Sequence, residues 1–255
     1  MRIVLLTQDD PFFLAENINY LIENLPSDSE LVACVLFQVS AFGKSKGFVT
    51  QAQETRSIFG TKFFIRYGFK FVFNKFNKKK KITHVMRKHN IPLIQLEKNI
   101  NHKSSIKEIG SFKPDLLVSI AGNQIFKRPI IDLAPSGCLN LHTALLPKYR
   151  GLLPTFWVMK NKEKETGVSV FFVDEGIDSG PILVQKKVVI GDRSQEQLII
   201  DTKKIGMDAI IASIEKIQSG NYDLIPNPDA DKTYYSKPTR EDVNVFLEGG
   251  NKFYC

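Results

Sequence analysis

Cys138-Leu139-Asn140-Leu141-His142-Thr143-Ala144-Leu145-Leu146-Pro147 reads as a buried strand followed by its exit. Asn140 and His142 are two residues apart, so on a strand they share a face, while Leu139 and Leu141 turn to the opposite layer. Leu145-Leu146-Pro147 ends the extended run, because proline cannot donate to a ladder. Outward from this stretch, apolar runs alternate with helical patterns. Residues 3–6, 31–37, 91–96, 115–120 and 168–173 have the composition of strands. Asp10-Pro11 predicts a helix start, with Asp as cap and Pro in the first turn. Leu14, Ile18, Leu21, Ile22 and Leu25 then follow at helical spacing until Pro26. Residues 103–111 suit a short helix, and residues 152–162 suit another that carries Trp157. Ser194-Gln195-Glu196-Gln197 has capping-box form. It opens a helix with Met207, Ile210, Ile211, Ile214 and Ile217 on one side, closed by Gly220. Alternation of this kind predicts an α/β fold, a mostly parallel sheet flanked by helices.

Asn140 and His142 combine with a third polar residue, Asp178, in Asp174-Glu175-Gly176-Ile177-Asp178-Ser179-Gly180. Gly176 and Gly180 permit a tight loop around it. An amide can donate to an oxygen that gains negative charge. An imidazole can accept or return an amine proton, and a carboxylate can hold that imidazole. Together the three fit transfer of a one-carbon acyl group between nitrogens. Each alone has a plainer reading: a buried histidine, a turn asparagine, a capping aspartate beside glycine.

The full string, with its Leu145-Leu146-Pro147, Arg150-Gly151 and Asp-x-Gly parts, resembles the folate-dependent formyltransferase family. That family includes methionyl-tRNA, glycinamide ribonucleotide and sugar N-formyltransferases. The resemblance is recognisable from about residue 113 to 189 and implies a Rossmann-like fold over about 1–220. It maps the family's catalytic trio onto Asn140, His142 and Asp178. It implies N10-formyltetrahydrofolate as donor, held against two backbone segments: 121–126, with Ala121, Gln124 and Phe126, and 173–177, with Val173, Glu175 and Gly176. The order Arg150-Gly151, Pro154, Trp157 is most similar to the sugar enzymes. Arg150 is read either as a contact to an acidic substrate group or as a loop cap. Trp157 is read as a substrate neighbour or as core. The first strand-to-helix turn, Thr7-Gln8-Asp9-Asp10-Pro11, has no glycine and two carboxylates, which argues against a phosphate-cradling loop.

Composition bounds the rest. The chain has 255 residues, 43% of them hydrophobic, enough for one large domain or for one domain with an appendage. No apolar run reaches the ~18 residues of a membrane span, and the apolar part of the N-terminus is too short for a signal peptide. Cys34, Cys138 and Cys255 are scattered and, with His84, His89 and His102, show no metal spacing. A cytoplasmic location is the expectation. The net charge of +8 is local: residues 61–89 hold ten Lys or Arg and no acid, leaving 25 basic against 27 acidic residues elsewhere.

That basic stretch lies in an aromatic segment, residues 41–90, read as an insertion in the 1–220 unit. Three readings are open for it: aromatics packed on the domain or on a second subunit in a homodimer, base stacking with phosphate neutralisation, or rest at a membrane surface. Residues 221–255 read as a short extension: a Pro-rich connector, a strand near 232–236, and a helix over 240–247. Thirty-five residues are too few for a five-stranded barrel of the kind with which methionyl-tRNA formyltransferases hold tRNA. The expected acceptor is therefore a small-molecule amine, foremost an amino sugar, with nucleic acid disfavoured. Methionyl-tRNA as acceptor, a formyl-folate hydrolase and a non-catalytic RNA- or membrane-binding protein are the alternatives.

Overall fold

Ile3, Val4, Leu5 and Leu6 are each at most 2% exposed, so the first strand, β1 (Arg2–Gln8), is covered on both faces. This is the pattern of a parallel sheet sandwiched by helices. The computed structural model describes residues 1–37 and 47–255. After β1 come α1 (Leu14–Glu23), β2 (Glu30–Phe37), α2 (Phe48–Phe59), α3 (Thr61–Phe76), α4 (Ile82–Lys88), β3 (Leu93–Ile94) and α5 (Lys103–Gly110). Then follow β4 (Leu116–Ile120), α6 (Arg128–Ile131), β5 (Cys138–His142), β6 (Arg150–Gly151) and α7 (Pro154–Lys160). The chain continues through β7 (Glu165–Phe172), β8 (Ile182–Val189), α8 (Gln195–Ser219), β9 (Tyr234–Tyr235) and α9 (Arg240–Glu248).

Seven strands form one sheet in the order β3-β2-β1-β4-β5-β7-β8. The first five are parallel; β7 runs antiparallel to β5, and β8 antiparallel to β7. The fold is thus α/β and Rossmann-like. One apolar layer joins Leu5, Leu139 and Leu141 to α1, α4 and α8. The opposite layer joins Val4, Leu6, Leu117 and Cys138 to α5 and α6. Alternation along β5 therefore places Leu139 and Leu141 behind the sheet and turns Asn140 and His142 to the other face. Gly206 of α8 lies against Leu141: a Cβ there would meet the leucine side chain at 2.6 Å. The helix thereby presses on the back of the strand that carries both polar residues.

Several boundaries differ from expectation. Asp10 caps a turn, its carboxylate accepting from Phe12 N–H at 2.8 Å, and α1 begins only at Leu14. The predicted third strand shrinks to Leu93–Ile94 because it borders only β2. β5 ends at His142, before Leu145-Leu146-Pro147. The cap predicted for α8 is present, Ser194 Oγ accepting from Gln197 N–H at 3.3 Å, and Gly220 terminates the helix at φ 65°.

Of the 41–90 segment, residues 41–46 lie outside the described residues; the rest is helical. Residues 221–255 pack back on the body. β9 pairs with β6, and Phe246 and Phe253 stack with Phe156 of α7 at 5.0 and 6.4 Å between ring centroids. Phe59 and Phe63, from α2 and α3, join that third apolar cluster. The extension and the aromatic segment thus share one core with α7.

Candidate active site

β4 and β5 run side by side with Ser119 opposite Asn140, and β7 pairs on the far side with Phe171 opposite Asn140. The loop after β4 leaves at the carboxyl end of that strand and the loop after the antiparallel β7 leaves at the opposite end; between them, over this row, lies a cleft with about 510 Å3 of empty space, open mouth included. Crevices at the carboxyl ends of parallel strands are where open α/β sheets bind ligands. Asn140 and Asp178 both line this cleft.

His142 lies behind them, 6% exposed. Its Nε2–H donates to Tyr149 O at 2.7 Å, so a neutral ring carries its lone pair on Nδ1. Nδ1 stands 3.6 Å from Asp178 Oδ2. The same oxygen accepts Gly151 N–H at 2.9 Å. Tyr149 is itself fixed, its hydroxyl donating to Glu163 at 2.6 Å. Burial, and then this bond, push the tyrosine pKa up.

The loop that presents Asp178 is built for one shape. Asp178 is left-handed, φ 50°, a region Asp tolerates better than most residues. Asp174 Oδ1 accepts from Gly176 N–H at 3.0 Å and from the Ser179 hydroxyl at 2.5 Å. A Cβ on Gly180 would lie 1.8 Å from Phe172 O, so no other residue fits. Asn227 closes the turn from outside, its amide donating to Asp178 O and Gly180 O, both at 2.9 Å.

Among the other residues singled out from the sequence, Gln124, Phe126, Val173 and Gly176 line the cleft. The Gln124 carbonyl oxygen is already used, accepting Ile100 N–H at 2.8 Å. Ala121 and Glu175 do not line it. Ala121 is a left-handed turn residue, φ 55°; Glu175 is exposed and pairs with Arg128 at 3.4 Å. Arg150 and Trp157 do not line the cleft and are buried. Arg150 is 3% exposed and binds Asp229 Oδ1 at 2.7 Å, Asn227 O at 3.0 Å and Asn227 Oδ1 at 2.9 Å. Trp157 stacks on Tyr235 at 4.6 Å and donates to Ser236 O at 3.2 Å. Through these contacts both hold the C-terminal segment.

Sequence reasoning missed Ser119 and Phe171, which also line the cleft, whereas Gly122, Ile125, Asp174 and Ile177 line it from within the two segments, 121–126 and 173–177, expected to hold the donor. Ser119 was accessible, as the one polar residue of β4 and the register partner of Asn140. Ile125 and Ile177, 53% and 38% exposed, form an apolar lip on either loop; loop isoleucines carry no periodicity that would single them out. Among the described residues no group of three His, Cys, Asp or Glu is arranged to hold a metal ion.

The family described as formyl transferase matches residues 69–214. Methionyl-tRNA formyltransferase of Kosmotoga olearia is 36% identical over 171 residues, 67% of this chain and 54% of that one. This chain spans about half the length of the curated relatives it matches. Two solved structures share the fold. Phosphoribosylglycinamide formyltransferase from Bacillus halodurans has a TM-score of 0.61 at 18% identity, over 86% of this chain and 96% of that one. An N-formyltransferase from Helicobacter canadensis, in complex with folinic acid and dTDP-3-aminofucose, has a TM-score of 0.59 at 16% identity, over 97% and 79%.

Proposed function

We propose that this chain, which belongs to the formyl transferase family, moves a formyl group from N10-formyltetrahydrofolate to a primary amine. The observation that carries the reading is the contact of Asp178 with His142 beside a cleft that Asn140 and Asp178 share. The donor supplies a formyl group on nitrogen. Its flat ring system suits a slot with Ile125, Phe126, Val173 and Ile177 on its walls. Asn140 then donates its amide hydrogen to the formyl oxygen as charge develops there. His142 Nδ1 takes up the proton of the attacking amine through the Asp178 carboxylate. Asp178, pinned by Gly151 N–H and by Asn227, holds the imidazole and passes the proton toward the departing nitrogen. The resulting amide and tetrahydrofolate balance the reaction.

For the acceptor we put forward a small molecule, foremost an amino sugar, in the cytoplasm. Residues 221–255 support this: they pack onto α7 and the site loop rather than projecting as a surface for RNA. A second reading, methionyl-tRNA as acceptor, is favoured by the 36% identity to a relative of that name. The purified protein should be incubated with formyl-tetrahydrofolate and a panel of amino sugars, amino acids and charged tRNA. Release of tetrahydrofolate together with one formylated amine is expected. Release without any formylated amine would replace transfer by hydrolysis, and no turnover with any member would defeat the proposal.

A further inference from the structure

Helix α3 is apolar on two opposite sides, which a helix at a water-exposed surface is not. Its inner side is accounted for. Phe63 stacks on Phe59 at 4.8 Å, Tyr67 stacks on Phe12 at 4.3 Å, and Asn74 is 6% exposed. The outer side carries Ile65, Phe69, Val72, Phe73 and Phe76, exposed by 51%, 75%, 53%, 75% and 80%. At 100° per residue these five fall within one stripe, directly opposite Phe63, Tyr67 and Asn74. Five large apolar residues side by side on one exposed helix mark an interaction surface.

Charge decides the occupant. Lys62, Lys75, Lys78 and Lys79 are exposed around the stripe and beyond its C-terminal end, within a 29-residue stretch, 61–89, that has ten basic residues and no acid. A second copy packed on the same face through a twofold axis would set these lysines against themselves. Single-stranded RNA would accept the charge and stack on phenylalanines, but Ile65 and Val72 offer no flat face and interrupt the row. An anionic bilayer satisfies both features, with apolar side chains at the acyl boundary and lysines at the headgroups. No helix among the described residues is long and apolar enough to cross a membrane, so the contact is peripheral. We propose that the outer face of α3 docks the protein on an anionic lipid surface. Through Phe12, α3 is anchored just past the carboxyl end of β1.

The full chain should be sedimented with vesicles of phosphatidylcholine alone and of phosphatidylcholine mixed with phosphatidylglycerol. Binding to the mixed vesicles, reduced by salt, is expected. Phe69→Ser/Phe73→Ser/Phe76→Ser and Lys78→Glu/Lys79→Glu should each lower the partition coefficient at least about tenfold. Both variants should keep the circular dichroism and the solution formyl transfer of the parent. Phe73→Trp should shift its emission to the blue on the mixed vesicles. Unchanged binding by either variant, or no binding by the folded parent, overturns the proposal. So does tRNA that displaces the protein from the vesicles, or self-association that the triple serine variant abolishes.

Discussion

Asp178 Oδ2 lies 3.6 Å from His142 Nδ1 and also accepts Gly151 N–H at 2.9 Å. One carboxylate oxygen thus joins the loop after β7, the strand β5 and the strand β6. Its charge acts on the imidazole, whereas its shape holds Gly151. Asp178→Asn separates the two: an amide oxygen can still accept from Gly151, and Asn tolerates the left-handed backbone. The variant should melt within a few degrees of the parent and lose about 10²-fold or more in kcat, the scale of a lost acid-base partner. Asp178→Ala should lose as much activity and also stability. Equal turnover by parent and Asn variant would remove Asp178 from proton transfer.

Asn140 is only partly buried and lines the cleft, so little of the fold rests on its side chain. Asn140→Ala should lower kcat by about 10²–10³, as removal of one oxyanion donor does, with the donor's KM nearly unchanged. Steady-state kinetics separate the two parameters. A variant that raises KM and leaves kcat intact would make Asn140 a binding residue instead.

Arg150 is a positioning residue. It grips Asn227, and Asn227 in turn grips the backbone of Asp178 and Gly180. Arg150→Met removes three hydrogen bonds and should lower Tm by about 5 °C or more. It should also reduce kcat through a loosened Asp178 while leaving the acceptor's KM in place. Lysine should rescue poorly, since one ammonium cannot span the positions that the planar guanidinium reaches. A selective rise in the acceptor's KM would restore the substrate-contact reading.

What could be read in advance follows from the range of each interaction. Period-two alternation at Cys138–His142 and the caps at Ser194 and Gly220 are local, so β5 and α8 were legible. The fates of Arg150 and Trp157 were not. Their partners, Asn227, Asp229 and Ser236, lie 77 to 79 positions later, and a buried arginine looks the same in sequence as one awaiting an anion. The aromatic segment divided for a related reason. Phe63 and Phe69 have the same composition-level signal, yet helix phase sends one to Phe253 and the other to solvent.

The cysteines offer a check on packing that is independent of catalysis. Cys34 is 0% and Cys138 1% exposed, whereas Cys255 is exposed. Burial pushes the Cys34 thiol up to about 12 from 9.0 and pushes that of Cys138 up as well. Reactivity follows the thiolate, so both should be inert in the folded protein near pH 8. A thiol reagent should therefore titrate one group quickly and the other two only after denaturant. The linkage has a definite sign. These acids hold their protons more tightly folded than unfolded, so stability should be level below the unfolded value and fall as pH rises past 9.0. Cys34→Ala should flatten part of that alkaline decline while creating a small cavity. Rapid labelling of two or three thiols in native buffer would mean that the layers around β2 and β5 are looser than their burial indicates.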